Sequence, residues 1–204
     1  ALSGNLCRCT GYRPILDAGQ QMFQHPQPAI PTQALVDALR ALQTEPTLQY
    51  GAFTSPRSLD ELAALRLAKP GARLLAGGTD LALWVNKQLR DLGEVIYLGR
   101  VAELQRIAVA DGLLTIGAGA SLTEAWAALA SHWPDLQEMG RRFASPPVRN
   151  AGTMGGNVAN GSPIGDSAPV LIALSAAIVL RRGTELRSMP LQDFYTGYMT
   201  NQMQ

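Results

Sequence analysis

F-A-S-P-P-V-R-N-A-G-T-M-G-G-N-V-A-N-G-S-P-I-G-D, Phe143 to Asp166, is the stretch on which the reading of this chain turns. Five glycines (Gly152, Gly155, Gly156, Gly161, Gly165) fall within it, and no Lys, Leu or Glu. Such a run is a poor helix and a poor ordinary strand, because glycine loses the most entropy on ordering and leaves no side chain to pack. It offers instead bare backbone N–H groups that can approach an anion or a flat ring closely. Thr153, Asn157, Asn160, Ser162 and Asp166 add short polar arms. That combination suits a ligand bearing phosphate and ribose. The embedded apolar residues Val148, Met154, Val158 and Ile164, with a single acid, argue against a merely flexible surface loop.

A second glycine cluster lies upstream in L-L-A-G-G-T-D-L, Leu74 to Leu81. Ala72 to Ala76 reads as a short strand, Gly77-Gly78 as a turn, and Thr79-Asp80 as the opening of a helix through about Leu89. Glu94 to Leu98 reads as another strand, which completes the strand–helix–strand grammar of a parallel sheet. Taken alone, a Gly-Gly turn is usually only a turn. No G-x-G-x-x-G occurs, so a Rossmann-type dinucleotide site is disfavoured. Two separated glycine-rich loops can, however, clasp an extended dinucleotide from opposite sides.

Outward from these loops, local signals set the remaining elements. Ser58-Leu59-Asp60-Glu61 and Ser121-Leu122-Thr123-Glu124 read as capping boxes that start helices to about Ala68 and Ser131. Pro46 to Ser55 reads as loop or short strand. Asp111-Gly112 joins two strands, Arg106 to Ala110 and Leu113 to Ala118, as a hairpin. Pro134 to Phe143 reads as a short helix, Asp166 to Ala176 as another, and Ala177 to Met189 as a hairpin about Gly183. In the N-terminal part, Pro14 suits the first turn of an amphipathic helix carrying Ile15, Leu16, Met22 and Phe23. Pro26, Pro28 and Pro31 enforce an extended connector, after which Thr32 is expected to cap a helix with Leu35, Leu39 and Leu42 on one side. The fold class is therefore α+β, a small parallel unit followed by a mostly antiparallel one. The expected division is residues 1–25, a linker at 26–47, and a main domain at 48–204.

Composition excludes several functions. The 204 residues are 47% hydrophobic and 16% charged, with a net charge of +1, which gives no reason to invoke nucleic acid or a membrane surface. No apolar run approaches the roughly 20 residues needed to cross a bilayer. Cys7 and Cys9 stand too close in sequence to bridge each other, so metal binding or free thiols in a reducing, cytoplasmic compartment are expected. His25 and His132 belong to no spaced set of metal ligands. Trp84, Trp126 and Trp133 lie on helical segments as core or interface residues. Ala1 in place of Met, and the ending T-G-Y-M-T-N-Q-M-Q, are expected of a segment of a longer chain.

Three motifs in one order resemble a known family. G-N-L-C-R-C-T-G-Y-R-P-I (Gly4 to Ile15) resembles the second half of the inner 2Fe–2S motif of molybdenum hydroxylases. L-L-A-G-G-T-D-L and R-N-A-G-T-M-G-G-N-V-A-N-G-S-P-I-G-D (Arg149 to Asp166) resemble the two FAD loops of that family, and F-Y-T-G-Y-M (Phe194 to Met199) is similar to a further segment of it. The pattern resembles the xanthine dehydrogenase type, in which iron–sulfur and flavin domains share a small subunit. The resemblance implies a helical remnant of a 2Fe–2S domain followed by a two-subdomain FAD domain. It implies that Cys7 and Cys9 are two of four cluster ligands, the others being absent from this sequence. Leu75, Ala76, Gly77, Gly78, Thr79, Asp80 and Leu81 would wrap the FAD diphosphate. Thr153, Gly155, Gly156, Asn157 and Asp166 would bind the remainder, with Phe143 and Leu81 near the isoalloxazine. It further implies an oxidoreductase that receives electrons from a molybdenum-cofactor-binding large subunit and passes them to NAD, as in purine oxidation. The rival readings are another molybdenum hydroxylase, acting on aldehydes or aromatic heterocycles, and a non-catalytic assembly module.

Overall fold

A computed structural model describes residues 11–203, which divide into two compact units at the boundary between Pro46 and Thr47. Cys7 and Cys9, with most of the cysteine motif, lie outside the described residues. In the first unit, α1 (Tyr12–Gln21) carries Pro14 in its opening turn and runs into a 3-10 turn at Met22–Gln24. The proline-rich connector has no regular structure, and α2 spans Thr32–Gln43. Thr32 is not the cap that its residue type predicts. Pro31 takes the N-cap position, and the Thr32 hydroxyl and amide both donate to the Ile30 carbonyl, at 3.2 and 2.7 Å. The reason is that proline at the entrance has already set the backbone, so threonine begins inside the helix.

The second unit opens with the hairpin β1 (Leu48–Tyr50) and β2 (Phe53–Ser55), followed by α3 (Leu59–Ala68) and β3 (Arg73–Leu75). Next come α4 (Leu81–Asn86) and β4 (Val95–Tyr97), giving a sheet of order β1-β2-β4-β3. β4 lies parallel to both β2 and β3, as the strand–helix–strand grammar predicts. The Ser58 hydroxyl accepts from the Glu61 amide and so starts α3. The Glu61 carboxylate accepts from the Thr47 hydroxyl at 2.6 Å and from the Arg57 amide at 2.8 Å, and these bonds lower its pKa. α4 stops before the expected Leu89. There the backbone turns left-handed (φ 52°), and the Leu89 and Arg90 amides close the helix end on the Val85 and Trp84 carbonyls.

The antiparallel part begins with α5 (Ala102–Gln105) and the hairpin β5 (Ile107–Ala110) and β6 (Leu113–Ile116). Asp111 and Gly112 both take positive φ, 52° and 75°, the geometry that matches strand twist in a two-residue hairpin. α6 (Leu122–His132) starts at a complete capping box between Ser121 and Glu124. A 3-10 turn at Pro134–Leu136 leads into α7 (Gln137–Arg142).

The Phe143–Asp166 stretch departs from its expectation. It contains two short helices, α8 (Pro146–Ala151) and α9 (Met154–Asn160), where glycine content predicts neither helix nor strand. Pro146 occupies the first turn of α8, Thr153 caps α9, and Gly161 ends α9 in the left-handed region (φ 61°). Met154 and Val158, one helical turn apart, are each only 5% exposed, and their burial offsets the glycine entropy. Beyond lie α10 (Ser167–Ala173), the hairpin β7 (Ala177–Arg182) and β8 (Glu185–Pro190), α11 (Leu191–Phe194), and the short pair β9 (Tyr195–Gly197) and β10 (Thr200–Asn201). Leu122, Trp126, Leu129, Phe143, Met154, Val158, Leu191 and Phe194 form the core of this part. Of the three tryptophans, Trp126 is buried. Trp84 is half-buried under the guanidiniums of Arg73 and Arg90, and Trp133 is exposed at the helix end.

Candidate cofactor site

The two glycine clusters, some seventy residues apart in sequence, touch in space. A Cβ on Gly77 would fall 1.8 Å from the Ala151 carbonyl oxygen and 3.0 Å from the Gly152 Cα. Gly152 is itself buried, and a Cβ there would meet Leu122 at 2.9 Å and the Thr79 hydroxyl at 3.7 Å. The first loop therefore rests on the end of α8, backbone against backbone, in a space that only glycine leaves open.

Among the described residues, nothing accepts from the backbone N–H groups of Gly77, Gly78, Thr79 or Asp80. Gly78 adopts φ 78°, in the left-handed region that anion-receiving backbone turns use. Leu75, Ala76 and Leu81 flank the turn half-buried, while Thr79 and Asp80 are exposed. The Asp80 carboxylate makes no bond to the helix it precedes.

The second loop is different, and here the expectation of bare amides fails. The Met154 amide donates to the Ala120 carbonyl and the Gly155 amide to the Ala118 carbonyl, both at 2.9 Å. The Gly156 amide is taken by the Thr153 hydroxyl at 3.1 Å, and the Asn157 amide by the Thr153 carbonyl at 3.0 Å. An isolated β-bridge joins Ser121 to Thr153, and the Leu122 amide donates to the Gly152 carbonyl. Gly155 serves this docking: its Cβ would stand 2.5 Å from the Ala118 Cβ and 2.6 Å from the Ala118 carbonyl oxygen. The amides are consumed because the start of α9 is stitched to the segment before α6.

What the second loop keeps free is a side chain. The Asn157 Oδ1 is buried and receives no hydrogen bond, an arrangement that costs roughly 1–3 kcal/mol when no donor arrives. Gly165 lies beside it, its would-be Cβ 4.0 Å from that oxygen. Asp166 is exposed at the start of α10 and makes no capping bond. Phe143 is a core residue, 9% exposed, with its ring centroid 5.5 Å from that of Trp126.

Three residues outside the predicted set hold the site together. Arg149 donates from one guanidinium nitrogen to the carbonyls of Phe143 at 2.6 Å, Ala144 at 2.8 Å and Arg141 at 3.3 Å. It thereby fixes the turn where Ala144 takes φ 46°, and so aims α8 at Gly77. Tyr195 and Asn201 bond the other end of α9. Burial pushes the Tyr195 hydroxyl pKa above the ordinary tyrosine value. No periodicity or spacing rule marks these three, since each acts on carbonyls of another element.

The donor set fits FAD: open amides for a diphosphate, a glycine cradle that a Cβ would fill, and a buried acceptor lacking a donor. Among the described residues no group of three or more His, Cys, Asp or Glu could hold a metal ion, and no helix is long and apolar enough to cross a membrane.

Comparison with known proteins agrees with this geometry. A family model described as the FAD binding domain in molybdopterin dehydrogenase matches residues 46–204. Xanthine dehydrogenase of Emericella nidulans is 27% identical over 261 residues, covering 97% of this chain and 19% of that protein. The nicotinate dehydrogenase FAD-subunit of Eubacterium barkeri is 32% identical over 149 residues, covering 71% of this chain and 50% of that subunit. Among solved structures, carbon monoxide dehydrogenase from Hydrogenophaga pseudoflava aligns with a TM-score of 0.69 at 28% identity, over 78% of this chain and 56% of its counterpart. The chain thus spans about half the length of the FAD-subunit relative and about a fifth of the xanthine dehydrogenase.

Proposed function

Since this chain belongs to the family of FAD-binding domains in molybdopterin dehydrogenases, we propose that it binds FAD along the seam where Gly77 meets Ala151–Gly152. The observation that carries this reading is the run of four open amides, Gly77 to Asp80, at a contact that admits no side chain. Those amides hold the diphosphate, and Leu75, Ala76 and Leu81 shield it. Thr153, Gly155, Gly156, Asn157 and Asp166 form the other wall. The Asn157 Oδ1 accepts a hydrogen bond from an N–H or O–H of the cofactor, which supplies the donor that the protein itself lacks. Phe143 supports this wall from within the core.

Bound there, FAD supplies the conversion between one-electron transfer with iron–sulfur clusters and two-electron hydride exchange with NAD. The chain is then an electron-transfer segment of a xanthine dehydrogenase-like oxidoreductase. Cys7 and Cys9 contribute two thiolate ligands to a 2Fe–2S cluster, residues 1–25 belong to its helical domain, 26–47 form the linker, and 48–204 bind flavin. A large subunit carrying the molybdenum cofactor oxidises the substrate, NAD accepts the electrons, and the assembly works in the cytoplasm. Relatives named for xanthine, nicotinate and aldehydes leave purines, other aromatic heterocycles and aldehydes as the substrate classes to compare.

The test is to titrate the purified chain with FAD and follow quenching of flavin fluorescence and the visible absorption of the complex. Stoichiometric, saturable binding is expected. A folded chain that stays colourless in excess FAD overturns the reading and leaves the assembly-module alternative.

A further inference from the structure

The F-Y-T-G-Y-M segment has no place in either glycine loop, yet the structure ties it directly to one of them. Phe194 is fully buried and roots the segment, and the Gln202 amide closes back onto the Phe194 carbonyl at 2.9 Å. β9 and β10 pair antiparallel between these points. From this hairpin the Tyr195 hydroxyl donates to the Val158 carbonyl at 3.1 Å, and the Asn201 Nδ2 donates to the Ala159 carbonyl at 2.7 Å. The Met203 amide donates to the Asn201 Oδ1 at 2.9 Å, which fixes the orientation of that side-chain amide. Gly161, just past the helix, packs against the same hairpin, its would-be Cβ 3.6 Å from the Met199 Cα.

The last carbonyls of a helix have no partner within it. α9 has only seven residues, with glycine at two of them, so it cannot persist on its own propensity. Its start is held by the Thr153 cap and the carbonyls of Ala118 and Ala120, and its end by Tyr195 and Asn201. Asn157, the residue with the unpartnered acceptor, lies between these two anchors and directly precedes Val158.

We infer that Tyr195 and Asn201 are positioning residues for the cofactor site. The hairpin clamps the carboxyl end of α9, and the clamp sets where Asn157 presents its Oδ1. This rests on the flavin reading above. It assigns Tyr195 and Asn201 no contact with the cofactor, only control of a residue that makes one.

The test uses the full chain and four proteins: wild type, Asn201→Asp, Asn157→Ala, and the double variant. FAD Kd is measured by fluorescence quenching well below each protein's Tm. Asn201→Asp keeps the side-chain shape but sets a carboxylate against the Ala159 carbonyl. A weakening of FAD binding of at least tenfold is expected from it. The double variant should bind no more weakly than Asn157→Ala alone, because the clamp acts through Asn157. Tyr195→Phe, which removes one hydroxyl and nothing else, should show the same non-additivity if Asn201→Asp fails to fold. Wild-type affinity in a folded Asn201→Asp variant, or losses that simply add to those of Asn157→Ala, overturns the clamp and leaves the flavin reading standing. A wild-type chain that binds no FAD overturns both.

Discussion

The two glycine loops look alike as sequence and behave oppositely as structure. In the first, Gly77 and Gly78 leave four successive amides without a partner among the described residues. In the second, the amides from Met154 to Asn157 are all taken, two of them by carbonyls of Ala118 and Ala120. One loop thus leaves amides open to a negative charge, and the other is a wall whose glycines serve close packing. Glycine is needed in both places for different reasons: conformation and access at Gly78, and clearance at Gly77 and Gly155.

The sharpest way to break this contrast is Gly77→Ala. Its methyl group would collide with backbone, the Ala151 carbonyl, and not with a movable side chain. Flavin affinity should fall on the order of a hundredfold, and stability by about 3 kcal/mol, read by FAD titration and denaturant unfolding. Retained affinity would mean that the seam is not the binding site. Gly155→Ala should act the other way round. It drives a methyl group into Ala118, so stability should drop by about 2 kcal/mol. FAD affinity, measured in the folded population, should fall about tenfold, less than for Gly77→Ala, because the Gly155 amide is not available to the ligand and only the placement of Asn157 on α9 is disturbed. A loss of affinity as large as that of Gly77→Ala would erase the distinction between the loops.

The smallest effect expected is a pH dependence confined to the second loop. Burial raises the Tyr195 pKa above 10.0, so over that interval the folded state holds a proton that the unfolded state has lost. The contribution is complete below pH 10.0 and declines as pH rises through the higher folded value. Unfolding curves should show this alkaline slope in the wild type and lose that component in Tyr195→Phe. An unchanged slope in the variant would remove Tyr195 from the account.

The contrast also marks how far sequence reasoning reaches. The capping box at Ser121–Glu124, the left-handed Asp111–Gly112 hairpin and the helix opened by Pro14 were legible because each depends on neighbours within four residues. The end of α3 at Ala68 was legible for the same reason. The candidate site was legible in composition, since both loops carry glycines and short polar side chains that suit a nucleotide. It was not legible in mechanism. Glycine-rich composition predicts a loop at Met154–Asn160, yet a helix forms there because Met154 and Val158 are buried together and carbonyls from Ala118 and Ala120 anchor its start. The roles of Arg149, Tyr195 and Asn201 were not legible because their partners are main-chain carbonyls, which have no residue identity to read.

By itself, then, the sequence determined the order of elements, their local ends and the two clusters whose chemistry suits a phosphate-bearing cofactor. Short-range hydrogen bonding and glycine or proline dihedral limits settle those matters residue by residue. Only the tertiary structure decided which cluster keeps its amides free. A backbone N–H is available to a ligand only if no distant carbonyl has claimed it, and that claim is made when remote segments pack.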